Sequence, residues 1–187
     1  MKTKIKIGRG VTVFIIFILL GGYRIVDMSV AIPWLLAVFL HEMGHFLVAK
    51  ICGAGIKCLT LDVTGAKMTL CGRLLSYREE ILIAAAGPLV NIITFAVTLT
   101  SFEEFSAFSL MLGILNLLPI SGFDGYRILY SFMSLRSGEE KANRITKALS
   151  FFAVIFLWLF SVYLLLRFGA GFSVFIFSCS LFLSLFV

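Results

Sequence analysis

Acidic residues and histidines are scarce in this chain. Ten aspartates and glutamates stand against sixteen lysines and arginines over 187 residues, and there are only two histidines. The four cysteines, Cys52, Cys58, Cys71 and Cys179, form no Cys-x-x-Cys pair, which excludes a cysteine-based zinc site. No glycine-rich phosphate loop, basic–aromatic interleaving or low-complexity tract is present. The net charge of +6 therefore does not indicate a nucleic-acid partner. What fills the chain is apolar. Hydrophobic residues make up 60%, twenty of them phenylalanine, and the mean hydropathy is +1.07. Soluble domains run near about 45–50% apolar. The lipid bilayer is the expected solvent.

Charge-poor stretches at approximately residues 10–24, 28–50, 81–102, 105–123, 148–166 and 168–187 predict an all-α polytopic membrane protein. That is about six transmembrane helices in one domain over residues 1–187. The first stretch is short, and Arg9 and Arg24 can lengthen it by snorkelling. The basic N-terminus before it resembles a signal peptide. No small-x-small cleavage site follows cleanly, so a retained helix is expected. Between the second and third helices, Gly53, Gly55, Gly65 and Gly72 punctuate β-prone runs at Leu59–Val63 and Lys67–Leu70. This predicts a small β-hairpin or sheet. Arg136–Lys147 is polar and reads as a solvated helix or turn.

The basic residues set an orientation. With the N-terminus inside, fourteen of the sixteen fall in inner segments, and only Arg24 and Arg167 lie outside. Such asymmetry is the positive-inside signal. Both termini are expected in the cytoplasm, with Glu103 and Glu104 on an outer turn.

Both histidines lie in one string, His41-Glu42-Met43-Gly44-His45, within the second helix. Residues four apart share a helix face, so both imidazoles can reach one metal ion, with Glu42 placed to handle its water. His41 is the fourteenth residue from Met28, ~20 Å down a core of ~30 Å. That depth is in the cytoplasmic half. Ionisable groups at membrane depth are costly and mark functional sites. A zinc-hydrolase motif there points to proteolysis inside the membrane. Two histidines leave a catalytic zinc site one protein ligand short. Among the few carboxylates, Asp124 ends the fourth apolar stretch on the same inner side, and its depth nominates it.

At this point the residues resemble a known family. The run Asn116-Leu117-Leu118-Pro119-Ile120-Ser121-Gly122-Phe123-Asp124-Gly125 is similar to the Asn-x-x-Pro…Asp-Gly signature of site-2-type intramembrane zinc metalloproteases, peptidase family M50. Ala84-Ala85-Ala86-Gly87-Pro88-Leu89-Val90-Asn91 resembles that family's Ala-Gly-Pro-x-x-Asn stretch. The layout is most like the stage IV sporulation branch, which processes a pro-sigma factor, but without its CBS domain. No PDZ segment is present, which disfavours the envelope-stress branch.

The resemblance implies Zn2+ held by His41, His45 and Asp124, and Glu42 as the catalytic base. It implies substrate contacts from Asn116 with the nearby backbone, including Pro119 and Gly125. The implied partners are a membrane-associated or single-span protein substrate and a membrane regulator, in a bacterial cell membrane. The family's second proline before the aspartate is missing here, and Gly122 is expected to supply the bend. Asn91 is expected to serve helix packing. Lys67 and Met68, on a strand edge, are expected to capture an unwound substrate segment by main-chain pairing. The alternative class is a catalytically silent metal-binding membrane protein that binds a partner helix. Glu42, for which such a protein has no chemical use, argues against it. A metal transporter would carry ionisable groups in several spans, whereas 81–102 and 168–187 carry no charged residue or histidine.

Overall fold

The computed structural model describes residues 4–7, 28–62, 65–71, 74–168 and 172–184, so the expected first span at 10–24 lies outside the described residues. In chain order the elements are β1 (Lys4–Ile7), α1 (Met28–Ile51), β2 (Gly55–Asp62), β3 (Gly65–Cys71), α2 (Tyr77–Thr98), α3 (Glu103–Asn116), α4 (Asp124–Ser137), α5 (Glu139–Phe168) and α6 (Phe172–Ser184). The chain divides into two compact units, Met1–Leu115 and Asn116–Val187. Among the described residues, three helical stretches are long and apolar enough to cross a membrane: Ala31–Ile51, Tyr77–Thr98 and Glu139–Phe168.

In the first unit α1 packs on α2. The three extended segments pair in the order β1-β2-β3, with β1 parallel and β3 antiparallel to β2. Lys67 stands opposite Thr60 and Met68 opposite Leu59, and the register shifts between Ile56 and Cys58. Among the described residues β3 is thus an edge strand of this sheet. Helix α2 begins four residues before the apolar run that predicts it. Ser76 accepts the Glu79 amide at 3.3 Å, and the Glu79 carboxylate accepts the Ser76 amide at 2.9 Å. This reciprocal cap satisfies two donors that a helix start leaves orphaned, so the polar first turn belongs to the helix.

The expected helix 105–123 is cut short at the boundary between the units. α3 stops at Asn116, and the turn through Phe123 leads into a separate helix, α4. Pro119 cannot donate to a helix and biases Leu118 away from helical backbone. Gly122 has φ +97°, in the left-handed region that other residues avoid. A hydropathy window reads the apolar side chains of this turn and not its backbone. α5 runs 30 residues, taking in the polar segment from Glu139 that the 148–166 span omits. α6 covers 13 residues of the expected 168–187.

Burial is inverted relative to a water-soluble protein. Among the described residues most enclosed positions are small or polar, including Ala84, Asn91, Ser109, Thr146, Ser150 and Ser161, with Ile83, Ile120 and Val154 the larger apolar ones. Large apolar side chains face outward, with Ile93 61% exposed and Phe156 71% exposed. Hydrocarbon is as apolar as leucine, so helices gain little by hiding leucine from it; close backbone approach at small residues holds them instead. Some of the enclosed hydroxyls bond to their own helices. Thr146 donates to the Ala142 carbonyl at 2.8 Å, and Ser161, 2.7 Å from the Trp158 carbonyl, also meets Ser178 of α6 at 2.7 Å. A contact of this last kind contributes about 0.6 kcal/mol on average in a bilayer.

Candidate metal centre

Helix α1 supplies the ligand face. His41 and His45 lie one turn apart, 4% and 7% exposed, and their Nε2 atoms stand 3.1 Å from each other. The rings meet edge to face, with centroids 4.7 Å apart. Glu42 is half-buried in the same turn.

Helix α2 holds both rings from behind, through three residues spaced four apart. The Nδ1–H of His45 donates to the Ile83 carbonyl at 2.7 Å. The side-chain amide of Asn91 lies 3.2 Å from Nδ1 of His41. Between them sits Gly87, where a Cβ would fall 2.6 Å from Cε1 of His45 and 2.8 Å from Nε2 of His41. No side chain fits there. One stripe of α2 therefore contacts both imidazoles, because residues four apart share a helix face.

The two helices also touch at glycine. A Cβ on Gly44 would lie 2.8 Å from the Ala86 carbonyl oxygen and 2.9 Å from Val90 Cγ2. Gly113 of α3 closes over the same stripe, within 3.3 Å of Asn91 Cβ by the same measure. Asn91 is fully buried as a result.

This donor set fits a small divalent cation. A carbonyl only accepts, so His45 carries its proton on Nδ1 and presents a lone pair from Nε2. Tetrahedral zinc with nitrogen at 2.0–2.1 Å sets its ligands roughly 3.3 Å apart. The observed 3.1 Å is close to that bite. Imidazoles that bind metal are held at the other nitrogen by a carbonyl, carboxylate or amide, as both are here.

In the second unit, Asp124 opens α4 and is 8% exposed. Its carboxylate lies 3.6 Å from the partly exposed Arg127 guanidinium and in the first turn of a helix, where negative charge is favoured. Gly125 is required by the turn before it, since a Cβ there would collide with the carbonyl oxygen of Leu117 and lie 2.6 Å from that of Leu118. Asn116 is the last residue of α3 and half-buried, and Pro119 lies in the turn. Lys67 and Met68 lie on β3, in the first unit.

Asn91, expected as a polar contact in helix packing, makes its contact with His41 of α1. The four-residue offset from Gly87 was the available signal, because it places Asn91 on the face that the histidine helix must approach.

A family profile described as Peptidase M50B-like matches residues 11–123, and one described as Peptidase family M50 matches 96–160. A zinc metalloprotease of Methanocaldococcus jannaschii is 32% identical over 154 residues, covering 72% of this chain and 44% of that protein. The stage IV sporulation protein FB of Bacillus subtilis is 30% identical over 131 residues, covering 63% of this chain and 45% of that one. The chain spans less than half the length of these curated relatives. Among solved structures, the site-2 protease of Methanocaldococcus jannaschii superposes with a TM-score of 0.70 at 24% identity, over 96% of this chain and 87% of that chain. That likeness establishes the fold.

Proposed function

Because the chain belongs to the Peptidase M50B-like family, we propose that it is an intramembrane zinc metalloprotease cutting a membrane-embedded or membrane-associated protein. The observation that carries this reading is the convergence of two buried Nε2 atoms at 3.1 Å, each ring held at Nδ1 by a neighbouring helix. A buried histidine pair with no ion to share would bring two polar groups into lipid at a cost with no return. His41 and His45 are two ligands, and Asp124 is the third. Its burial and the bend that Gly122 and Gly125 permit before it support this assignment.

When bound, zinc supplies Lewis acidity, polarising a carbonyl and acidifying water. Glu42 takes the proton of the attacking water and hands it to the leaving amine nitrogen. The new C–O bond forms as the C–N bond breaks, so one water is consumed per peptide bond. Glu42 can do this from its place in the turn between the histidines. A substrate helix must first unwind, since its carbonyls are bonded within the helix. The edge strand β3, through Lys67 and Met68, receives the unwound segment by main-chain pairing, while Asn116, Pro119 and Gly125 hold it at the site. The chain crosses the membrane six times with both termini in the cytoplasm and the site in the cytoplasmic half. The charge asymmetry supports this orientation. The sporulation-type relative makes a pro-sigma factor one candidate substrate class.

Co-expression with single-span or membrane-associated precursors tests the reading. Wild type is expected to cleave one of them. Glu42→Gln, which keeps the shape but accepts no proton, is expected to lose at least ~10²-fold in rate with zinc content unchanged. Cleavage by purified, zinc-reloaded Glu42→Gln at the wild-type rate would remove Glu42 from the chemistry.

A further inference from the structure

We infer that Ser150 of α5 is the positioning residue for Asp124, acting through the turn that leads into α4. This rests on the reading of Asp124 as the third zinc ligand, and every contact it uses lies within the second unit. Asp124 opens its helix without a capping side chain. The residue before it is Phe123, whose backbone is extended and whose ring offers the first-turn amides no acceptor. The place of the carboxylate is therefore set by the chain behind it, residues 117–123.

That chain bonds largely to itself. The Ile120 amide donates to the Leu118 carbonyl at 2.8 Å, and the Phe123 amide to the Ile120 carbonyl at 3.0 Å. Pro119 has no amide hydrogen to offer. The Ser121 amide reaches outside the turn and donates to Ser150 Oγ at 2.8 Å. Ser150 is 2% exposed, and an amide left without an acceptor in such surroundings is costly. Thr146, one turn earlier on α5, bonds to its own helix, whereas Ser150 accepts from the turn. The anchor matters because Gly122, at φ +97°, stands between Ser121 and the carboxylate. Glycine leaves that step free to rotate, and fixing Ser121 on one side removes much of the freedom. On the other side, the Phe123 ring lies nearly parallel to Phe177 of α6, with centroids 6.4 Å apart. The glycine is thus bracketed by two contacts, one polar and one aromatic. Ser150 supplies the polar one, which has direction as well as distance.

The bond and its effect are read separately in the full chain in detergent. Hydrogen exchange at the Ser121 amide is expected to be slow in wild type and Ser150→Thr, and fast in Ser150→Ala and Ser150→Val. Threonine and valine share a shape and differ in the one oxygen, so crowding common to both cancels. Zinc affinity is then measured by competition with a chromogenic chelator. Ser150→Ala and Ser150→Val are expected to bind about 10–100-fold more weakly than wild type, with Ser150→Thr restoring most of the loss. Equal affinity in Ser150→Thr and Ser150→Val, or fast exchange at Ser121 in wild type, would overturn the inference. If Ser150→Val does not fold, Ser150→Ala against Ser150→Thr decides. Added to Asp124→Ala, Ser150→Ala is expected to cause no further loss, because its effect passes through that carboxylate. A merely structural serine would weaken binding by the same factor with or without Asp124, and that additivity would equally overturn it. If Asp124→Ala binds too little zinc for this comparison, the variants at Ser150 alone decide. Wild-type zinc affinity in Asp124→Ala would overturn Asp124 as a ligand, a failure visible without touching Ser150.

Discussion

A methyl group on Gly87 would sit 2.8 Å from Nε2 of His41, so the histidine face of one helix is cast against a notch in another. Gly87→Ala is expected to push both rings aside. Overpacking of this kind typically costs about 1–3 kcal/mol where the neighbours can shift. Here the neighbours are the proposed ligands, so zinc affinity is expected to fall on the order of 10²-fold, the upper range for disturbing groups that orient ligands. Chelator competition beside a helix-content measurement by circular dichroism checks this. Unchanged affinity would mean that α2 tolerates the methyl group by moving as a whole.

Asp124→Ala removes one of the three proposed protein ligands, so both zinc and activity are expected to be lost. Zinc per chain, measured in detergent after gel filtration, decides it. If one tight zinc remains, the third ligand lies elsewhere, and Asp62 at the end of β2 is the next carboxylate to test.

Proline placed anywhere in the Ala66–Thr69 stretch of β3 is expected to reduce cleavage at least ~10-fold, because it removes a main-chain donor and fixes φ. Alanine at Lys67, Met68 or Thr69 is expected to do much less, since main-chain pairing needs no particular side chain. Zinc content should survive both changes. A proline series that cleaves normally while zinc-loaded would reduce β3 to a linker.

Orientation can be tested by single cysteines in a cysteine-free background, labelled with a reagent that does not cross membranes. Residues 2–6 and 136–147 are expected to react only in opened cells, and residues 103 and 104 in intact ones. The opposite pattern would place the metal centre in the outer half of the membrane.

The ligand string was legible because its information is local. His41, Glu42 and His45 share one turn, and four-residue spacing alone brings the imidazoles together. Their supports were not legible, because they come from another helix. Nothing in composition says that the Ile83 carbonyl and the Asn91 amide will arrive at opposite ends of the pair. Span lengths were misjudged where backbone outranks hydropathy. Leu117, Leu118, Ile120 and Phe123 read as a continuing helix, but Pro119 and Gly122 turn the chain there. The start of α2 was set four residues late because Tyr77–Glu80 is polar, although the Ser76-x-x-Glu79 spacing of a cap was present in the sequence.

The inward-facing small residues have a consequence for handling the protein. Each imidazole of α1 is aimed by atoms of α2, and those helices meet at Gly44 and Ala86 with little oily surface to drive them together. A helix in lipid or detergent keeps its own backbone bonds whether or not it has a neighbour. A detergent that slips between the two helices can therefore cost the protein its ion while the circular dichroism spectrum stays that of intact helices. Ion retention is the finer gauge of whether a purified sample is native, and a helical spectrum alone says only that the separate pieces survived.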